Sequence, residues 1–493
     1  MSLSGEILPG TLCPMARLVV DLHLHSRFSM GTSPSLDLAA LADGARRTGV
    51  DLIAAPDFTH PAWLAEMRSQ LKEAGDGVYR LRPEGPRAPG ARAGKSAGAS
   101  QGRLSPARQE IASSAPLFMF ATEVSCVWTE SSVPAGRGSE RTGLRGPSTG
   151  SGRANERKLP AGSGSATTPR GRRVHLLVFA PGIEAVEKLN RALAGIADLA
   201  SDGRPTLNIP ARQFAEIAWQ DDDRFVIVPA HAWTPWYGIY GSKSGFDSIE
   251  ECFGSLAPRI FAIETGLSSD PAMNWRIADV DSRAIVSFSD AHSPPSMGRE
   301  ATVLDCEPDF PSFVRAIKSG GIVETLEFHP GHGKYHLDGH RKCGVRFTPK
   351  ESAATGGRCP ECGRKLTLGV LNRIEDLAVR PESIAAPLDK GGVVRGPQGH
   401  PPFRYMVPLR EVLSQALGAG PSSQKVARAY DALTLELGGE LNVLMDAPAR
   451  DIERVAGDCA AAAVLAARHG EVDIDEGYDG EYGTVRVRYG QAR

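Results

Sequence analysis

The stretch Val19-Val20-Asp21-Leu22-His23-Leu24-His25-Ser26 begins with an apolar pair and continues with polar residues that alternate with leucines. This period of two predicts a strand that carries Asp21, His23 and His25 on one face and the leucines on the other. Neutral imidazoles two residues apart at a strand end can bind one divalent metal. The alternative is an ordinary half-buried strand whose histidines bond to the backbone. The rest of the chain decides between these interpretations.

Length and composition indicate a globular protein with more than one domain. The chain has 493 residues, 41% of them hydrophobic and 23% charged, which predicts about two to four domains. The formal net charge of -2 gives no global argument for nucleic-acid binding, so any such argument must be local. No apolar run reaches about 18 residues and residues 1–17 lack a signal-peptide pattern, so we expect no membrane segment. Eight cysteines in so long a chain do not form a disulfide framework, which favours a reducing cytoplasm.

Short apolar runs alternate with helical patterns between residues 18 and 320. The apolar runs cover residues 18–25, 50–58, 117–125, 173–181, 225–233, 259–267, 284–292 and 301–304. Helical patterns cover residues 36–49, 185–200 and 246–254. This alternation favours parallel βα units, and about seven such units predict a barrel. Catalytic residues of such barrels lie at the C-terminal ends of the strands.

Nearly every apolar run carries a histidine or a carboxylate. The candidate ligands are His23, His25, Asp57, Glu123, His175, His231, Asp290 and His292. Eight candidates suit two or three clustered metals, and imidazole mixed with carboxylate favours zinc, manganese or iron over copper. His175 is unusual because it precedes its apolar run. Glu123 is our candidate for a carboxylate that bridges two ions about 3.5–4 Å apart, an arrangement that can activate water toward a phosphate ester.

Two segments interrupt this pattern, at about residues 84–114 and 131–172. Both are rich in glycine, serine, proline and arginine, and residues 137–173 contain nine lysines or arginines against two glutamates. Their apolar content is too low to offset chain entropy, so we predict disordered surface insertions. Their positive charge suits either contact with a phosphate backbone or a solvated linker.

A compact unit at residues 329–368 has the spacing of a zinc site. Its candidate ligands are His340, Cys343, Cys359 and Cys362. The two ligand pairs are separated by 15 residues, which is typical of structural zinc sites. His336 is an alternative to His340, and a redox-active cysteine pair is an alternative to the metal. Four protein ligands leave no open position, so the predicted zinc is structural.

Helical patterns dominate residues 369–493. They cover residues 368–380, 409–418, 425–438 and 452–470. Between residues 363 and 430, ten lysines or arginines stand against five acidic residues. Phe403-Arg404-Tyr405 places aromatic residues around a cation, as a base-stacking and phosphate-binding surface would. The alternative is a helical packing domain with an ordinary solvated face.

The ligand motifs resemble a known superfamily of enzymes. The residues that carry the resemblance are His23-x-His25, Glu123, His175, His231 and Asp290-Ala-His292. They are similar to the motifs of the PHP (polymerase and histidinol phosphatase) metallophosphoesterases. The resemblance covers about residues 18–320 and implies a distorted (β/α)7 barrel with a trinuclear metal site. Asp57 stands where many members have a ligand histidine, and Ser29-Met30-Gly31 replaces an aspartate ligand of many members.

A more specific resemblance spans nearly the whole chain. The segments that carry it are residues 57–61, 229–238, 264–271, 289–293, 335–344 and 477–483. They resemble endonuclease Q, which implies a DNA repair nuclease that recognises uracil, hypoxanthine, xanthine and abasic sites. The cut would lie 5′ to the lesion and leave 3′-hydroxyl and 5′-phosphate ends. Ala54-Ala55-Pro56 departs from the Gly-Thr-Gly that the family tends to have, and the two basic insertions are unusual.

The sequence thus predicts a PHP barrel over residues 18–325, a zinc-finger unit over residues 329–368 and a helical DNA-recognition domain over residues 369–493. We expect Asp290, Glu123 and His231 to be catalytic and Asp21 to orient neighbouring ligands. The expected cofactors are two or three divalent metals (zinc, manganese or magnesium) at the barrel mouth and one structural zinc.

The expected partner is damaged double- or single-stranded DNA, bound by a monomer in the nucleoid-associated cytoplasm without membrane contact. No convincing sliding-clamp motif is evident at the end of the sequence, which reads Gly490-Gln-Ala-Arg493. A small-molecule phosphatase on the same barrel is the alternative, but it needs neither a zinc unit nor a basic C-terminal domain. A non-catalytic DNA-binding protein with a degenerate barrel is the third hypothesis, and the nearly complete ligand set argues against it.

Overall fold

The computed structural model describes residues 17–82, 115–130 and 170–490. Each of the eight apolar runs predicted as strands overlaps a strand, and each of the three helical patterns between residues 18 and 320 overlaps a helix. The predicted insertions lie outside the described residues, except for residues 170–172.

The strands of the described ranges are β1 (Arg17–Asp21), β2 (Leu52–Ala55), β3 (Leu71–Gly75), β4 (Val78–Leu81), β5 (Leu117–Glu130), β6 (Arg170–Phe179), β7 (Thr206–Leu207), β8 (Val226–Pro229), β9 (Ala262–Glu264), β10 (Ala284–Val286), β11 (Ala301–Asp305), β12 (Ile322–Phe328), β13 (Asp338–His340), β14 (Val345–Phe347), β15 (Val393–Val394), β16 (Phe403–Met406), β17 (Val472–Asp475) and β18 (Thr484–Val487). The helices are α1 (Leu38–Thr48), α2 (Pro61–Gln70), α3 (Ile183–Leu193), α4 (Ala211–Asp221), α5 (Ile249–Phe253), α6 (Pro271–Asn274), α7 (Phe310–Lys318), α8 (Pro349–Ala354), α9 (Val370–Leu377), α10 (Leu409–Leu417), α11 (Gln424–Glu436), α12 (Glu440–Met445), α13 (Ala449–Ala456) and α14 (Asp458–Arg468).

Seven strands, β1, β2, β5, β6, β8, β9 and β10, follow one another around a ring. Strand pairs join β1 to β2, β2 to β5, β5 to β6, β6 to β8 and β9 to β10. The ring is completed after β8 by the Ala232 N–H, which donates to the Glu264 carbonyl over 3.0 Å. It is completed between β10 and β1 by a parallel bridge between Leu24 and Ala291. The predicted distorted barrel is therefore confirmed.

The direction of β6 departs from the predicted run of parallel βα units. This strand pairs antiparallel with both β5 and β8. Its N-terminal half therefore lies where the other ring strands have their C-terminal ends. This direction explains the unusual position of His175, which precedes its apolar run and still reaches the mouth of the ring.

The sheet continues beyond the ring on the side of β1. Strand β11 pairs antiparallel with β1, β12 with β11, and β16 runs parallel to β12 with β15 at the edge. Residues 393–406 thus belong to the same sheet as the barrel, and the sheet crosses the predicted domain boundary near residue 325. One hydrophobic core runs through both parts, while the zinc unit has a small core of its own.

The remaining C-terminal region is mainly helical, as predicted. Helices α10 to α14 pack together, and the antiparallel hairpin of β17 and β18 follows them. None of the helices in the described ranges has the length and apolar character that a membrane span requires.

Arg172 corrects the predicted end of the second insertion. Its side chain is buried in β6, where it forms ion pairs with Glu130 and Glu251 at 2.9 and 3.0 Å. Its guanidinium also lies 3.8 Å from the centroid of the Phe246 ring. Composition alone does not separate an arginine with buried partners from a solvated one, so the sequence placed Arg172 in the insertion.

The predicted base-stacking surface at Phe403-Arg404-Tyr405 is wrong, because these residues form β16 inside the sheet. Phe403 is 0% exposed, and the Tyr405 hydroxyl donates to Asp270 Oδ2 over 2.6 Å. Arg404 Nε donates to Glu324 Oε2 over 2.7 Å. Phe403 therefore has no face for a base, the half-buried Tyr405 ring already stacks on His329, and the arginine is already paired within the protein.

We predict that Phe403→Ala lowers the free energy of unfolding by about 3–5 kcal/mol, because it leaves a cavity in the core. Urea denaturation measures this loss. Leu435→Ala is the control, since Leu435 is 65% exposed and should change stability by less than about 0.5 kcal/mol. Unchanged stability of Phe403→Ala together with lost DNA binding would restore the stacking interpretation.

Candidate metal centre

Six of the eight predicted ligands converge in two groups at the mouth of the ring. The first group is His23, His25, Glu123 and Asp290, and the second is Glu123, His175 and His231. Within each group, one ligand atom per residue lies within 4.8 Å of the others. Glu123 belongs to both groups, as a bridging position requires. The ligand roles themselves stay predictions.

The first group surrounds a buried imidazole nitrogen that lacks a partner. His23 Nε2 and His25 Nε2 lie 3.3 and 3.2 Å from Asp290 Oδ1. The same nitrogens lie 3.6 and 3.5 Å from Glu123 Oε2. Among the described residues, His23 Nε2 has no hydrogen-bond partner. A buried nitrogen left unbonded beside two carboxylates fits a divalent metal ligand.

The second group uses the other oxygen of Glu123. Glu123 Oε1 lies 2.5 Å from His175 Nδ1 and 3.0 Å from His231 Nε2. The two imidazole nitrogens are 3.2 Å apart. Each oxygen of this carboxylate therefore faces one group, and two histidine nitrogens and one carboxylate are a donor set that suits zinc or manganese.

Outer partners aim the ligand histidines at the centre. His23 Nδ1 donates to Glu264 Oε1 over 2.8 Å, and the other Glu264 oxygen accepts the His231 N–H over 2.6 Å. His231 Nδ1 hydrogen-bonds to Thr234 Oγ1 at 2.9 Å. A bond at Nδ1 fixes the tautomer and leaves Nε2 free to bind a metal.

Asp57 also orients a histidine and is not itself placed as a ligand, which corrects its predicted role. Its Oδ1 accepts from His25 Nδ1 over 3.2 Å. Its Oδ2 accepts from the Ser26 N–H and the Ser29 hydroxyl over 2.6 and 2.8 Å. Both oxygens are therefore engaged outside the two ligand groups, and Asp57 orients His25 instead of joining it.

His292 lies at the open side of the centre, outside both ligand groups. Its ring centroid is 4.5 Å from that of His25, and its side chain is 35% exposed. His292 Nδ1–H donates to the Asp290 carbonyl over 3.0 Å. The ligand role of His292 stays a prediction.

Asp21 orients a loop instead of the histidines. Its two oxygens accept from the backbone N–H groups of Ser289 and Gly298 over 3.0 and 2.9 Å. Burial raises the pKa of Asp21 to about 6. Because Ser289 precedes Asp290, Asp21 positions that carboxylate through the backbone.

Two residues of the centre were missed by sequence reasoning. Glu264 ends β9, and a carboxylate at the end of a buried strand was the feature that could have identified it. Arg204 Nη1 donates to Glu123 Oε2 over 3.0 Å with its side chain 23% exposed. Arg204 lies in a loop without periodicity, so no sequence pattern marked it.

The backbone is strained at three residues of the site. Asp57, His231 and Asp290 have φ values of 52°, 30° and 46°, a region that non-glycine residues rarely adopt. Beside them, a Cβ on Gly266 would lie 2.4 Å from the His231 Cα, so only glycine fits there. Strain of this kind persists where the surrounding structure holds a functional geometry.

The electrostatics of the centre favour a bound cation. Burial opposes ionisation of Glu123, but His175 and Arg204 hold its pKa well below the usual range. Burial would also lower the pKa of His25, yet hydrogen bonds to Asp290 and Asp57 raise it to about 9. Glu123 is therefore ionised and His25 protonated near neutral pH, and a metal that binds His25 would have to displace its proton.

The zinc unit brings all four predicted ligands together. They are His340, Cys343, Cys359 and Cys362, with ligand atoms within 4.8 Å of one another. Cys362 Sγ lies 3.6 Å from His340 Nδ1. The alternative ligand His336 instead pairs with Glu476 at 3.4 Å. One histidine and three cysteines are a donor set that fits structural zinc.

The fold and this site define the class of the protein, an α/β barrel with a candidate centre of histidines and carboxylates and a Cys3His unit. A family model described as the MJ0043 C-terminal domain matches residues 408–471. The uncharacterized protein MJ0043 of Methanocaldococcus jannaschii is 30% identical over 280 residues, which are 55% of this chain and 33% of that protein. The uncharacterized protein YqxK of Bacillus subtilis is 28% identical over 323 residues, 64% of this chain and 74% of that protein.

Two solved structures are similar over almost the full length. One is the lesion-specific endonuclease PfuEndoQ from Pyrococcus furiosus, with a TM-score of 0.71 and 26% identity over 96% of both chains. The other is endonuclease Q in complex with a 27-mer duplex that carries an abasic lesion at the active site. It matches with a TM-score of 0.71 and 26% identity over 96% of this chain and 97% of that chain. This similarity over almost the full length supports the resemblance to the endonuclease Q family that the sequence motifs carry.

A buried acidic pair supports the turn behind the centre. Glu300 Oε2 accepts the Leu267 N–H over 3.0 Å, and Glu327 Oε2 accepts from the Ser287 hydroxyl over 3.1 Å. Ser287 also accepts from the Thr265 hydroxyl over 3.0 Å. Burial, reinforced by mutual repulsion, raises the pKa of Glu300, and burial raises the pKa of Glu327 to about 8.

We predict that Glu327→Gln stabilises the protein increasingly as the pH rises from 5 to 8. The pKa of Glu327 in the folded protein is about 8, above the ordinary value of 4.5. The protonated carboxyl therefore contributes its full stability below pH 4.5, and this contribution is lost as the pH rises through about 8. Glutamine has no proton to lose. Melting temperatures across this pH range measure the difference, with the exposed Glu471→Gln as control. Parallel curves for Glu327→Gln and the native protein would contradict the prediction.

Proposed function

We propose that this protein is a metal-dependent DNA repair endonuclease that hydrolyses the phosphodiester 5′ to a uracil, hypoxanthine, xanthine or abasic site. The observation that supports it most is the shared carboxylate Glu123, which joins two ligand groups at the mouth of the ring. The similarity to a lesion-specific endonuclease extends over 96% of both chains. It includes the zinc unit and the C-terminal region, which a small-molecule phosphatase does not need.

The two ligand groups would hold the reactive metals. His23, His25, Glu123 and Asp290 would bind one ion, and Glu123 with His175 and His231 a second. His292 is the nearest candidate for a third. Bound zinc, manganese or magnesium would supply Lewis acidity toward the phosphate ester and lower the pKa of a water. The Cys3His unit would hold one structural zinc.

Protein groups around the centre orient the ligands and bind the substrate phosphate. Glu264 and Asp57 keep the histidines aimed inward, and Asp21 holds the backbone that carries Asp290. Arg204 places a guanidinium beside Glu123, where it can bind a non-bridging oxygen of the scissile phosphate. The lesion selects the cutting site because extruding a mispaired or abasic nucleotide costs less than extruding a paired one.

The partner in this proposal is damaged duplex or single-stranded DNA, bound by a monomer in the nucleoid-associated cytoplasm. The proposed function does not require a sliding clamp.

We predict that the purified protein with manganese or zinc cuts duplexes that contain one uracil, hypoxanthine or abasic site and spares the undamaged duplex. Labelled 5′ and 3′ ends on denaturing gels locate the cut and its termini. EDTA should abolish cleavage, and added manganese should restore it. Equal cleavage of undamaged DNA would contradict lesion specificity, and cleavage that persists in EDTA would contradict metal dependence.

We predict that Asp290→Asn lowers kcat at least a hundredfold while lesion DNA still binds, because the amide removes the charge shared by His23 and His25. Single-turnover cleavage and fluorescence anisotropy measure the two effects. Asp473→Asn, on the exposed strand β17, is the control and should cut normally. Loss of DNA binding by a folded Asp290→Asn protein would argue against separate cutting and recognition parts.

A further inference from the structure

Exposed aromatic rings and lysines gather beside the metal centre. Trp236 is 39% exposed and Tyr482 is 70% exposed, which is unusual for large apolar side chains. Tyr335 lies edge-on to Trp236 at a centroid distance of 5.4 Å. Lys334 Nζ lies 5.6 Å from the Tyr335 ring and 5.5 Å from the Tyr482 ring, so this cation stands between two aromatic residues.

A second lysine completes the patch. Lys243 Nζ lies 6.0 Å from the Trp236 ring. Within the part of the chain that the structure describes, neither Lys243 nor Lys334 forms an ion pair with a carboxylate. We call this patch, formed by Trp236, Tyr335, Tyr482, Lys334 and Lys243, the aromatic platform.

Hydrogen bonds tie the platform to the metal centre. The Thr234 hydroxyl contacts His231 Nδ1 and the Trp236 carbonyl, each at 2.9 Å. The next residue, Tyr237, packs its ring 4.2 Å from the His175 ring, and its carbonyl accepts the His175 N–H over 2.9 Å. Thr234 therefore links Trp236 to the candidate ligand His231. The next residue, Tyr237, contacts the candidate ligand His175.

The loop that presents Trp236 is tightly packed, backbone against backbone. A Cβ on Gly238 would lie 2.6 Å from the Thr234 carbonyl oxygen, and one on Gly241 would lie 2.3 Å from the same atom. Gly245 is equally close to the backbone of Gly241. This packing restricts the loop backbone before a ligand arrives, which lowers the entropy cost of binding.

The other two rings come from the zinc unit and the hairpin that follows the helices. The Gly480 N–H donates to the Lys334 carbonyl over 2.8 Å, and Leu337 forms a bridge with Tyr478. These contacts hold Tyr335 and Tyr482 beside the barrel loop. Three segments far apart in the sequence thus contribute to one surface, which no local pattern predicts.

The chemistry of the platform matches unpaired nucleotides. Every base has a face that stacks on an aromatic ring, and lysines between the rings attract the phosphates. We propose that the aromatic platform binds the unstacked nucleotides that flank the scissile phosphate and thereby positions the strand for cutting. This inference rests on the proposed function and assigns its strand-binding surface to the platform instead of Phe403-Arg404-Tyr405.

Trp236→Ala and Tyr482→Ala test the platform. Each should weaken binding of an abasic duplex and of a short single-stranded oligonucleotide by about tenfold or more, because base–aromatic stacking is lost. Trp236→Phe should retain most of the affinity. Leu435→Ala, an exposed apolar residue elsewhere, should bind as the native protein does. Circular dichroism checks that the variants fold.

Lys334→Ala tests the electrostatic part. It should reduce the slope of log affinity against log salt concentration by about one, since one phosphate contact is lost. Lys390→Ala, an exposed lysine in another turn, should leave the slope unchanged.

The outcomes separate this inference from the proposed function. A native protein that cuts lesion duplexes, with Trp236→Ala and Tyr482→Ala binding both DNA forms normally, overturns the platform alone. Weakened duplex binding with unchanged single-strand binding also overturns it. A native protein that cuts no lesion duplex overturns the proposed function, whatever the variants bind.

Discussion

The candidate centre depends on one buried negative charge, the carboxylate of Glu123. Its side chain is 0% exposed, and an unpaired carboxylate at such a depth would cost several kcal/mol. His175 and His231 approach one oxygen, while Arg204 and the first ligand group approach the other. The long strand β5 carries this residue in the middle of its length, so the rest of the ring is arranged around a buried charge that the neighbouring donors and Arg204 stabilise.

The strands and most candidate ligands were predictable because each functional side chain stands next to an apolar run. The same logic could not predict the direction of a strand. His175 carried the only indication, since a ligand before its run implies a strand that runs the opposite way. Asp57 shows a second limit. A carboxylate after a buried strand looks the same in sequence whether its oxygens bind a metal or accept a hydrogen bond from the Nδ1 of a ligand histidine.

Recognition of DNA was harder to predict than the centre. Phe403-Arg404-Tyr405 and the aromatic platform have similar compositions, and only burial distinguishes them: Phe403 is 0% exposed and Tyr482 is 70% exposed. Burial at these positions depends on pairing between segments far apart in the chain. Trp236, Tyr335 and Tyr482 each lie in a segment that resembles endonuclease Q, but the resemblance assigned them no role and did not indicate that they meet. Arg204 had no sequence pattern at all.

The parallel pairing of β12 with β16 bears on how this architecture can be divided. A barrel that ended near residue 325 would lack β16, and the edge of β12 would present unpaired backbone groups to solvent, a template for aggregation. The buried Glu324 and Asp270 would lose their partners Arg404 and Tyr405. The two halves are therefore coupled across this boundary, and a recombinant of two relatives has to keep Glu324 matched with Arg404 and Asp270 matched with Tyr405.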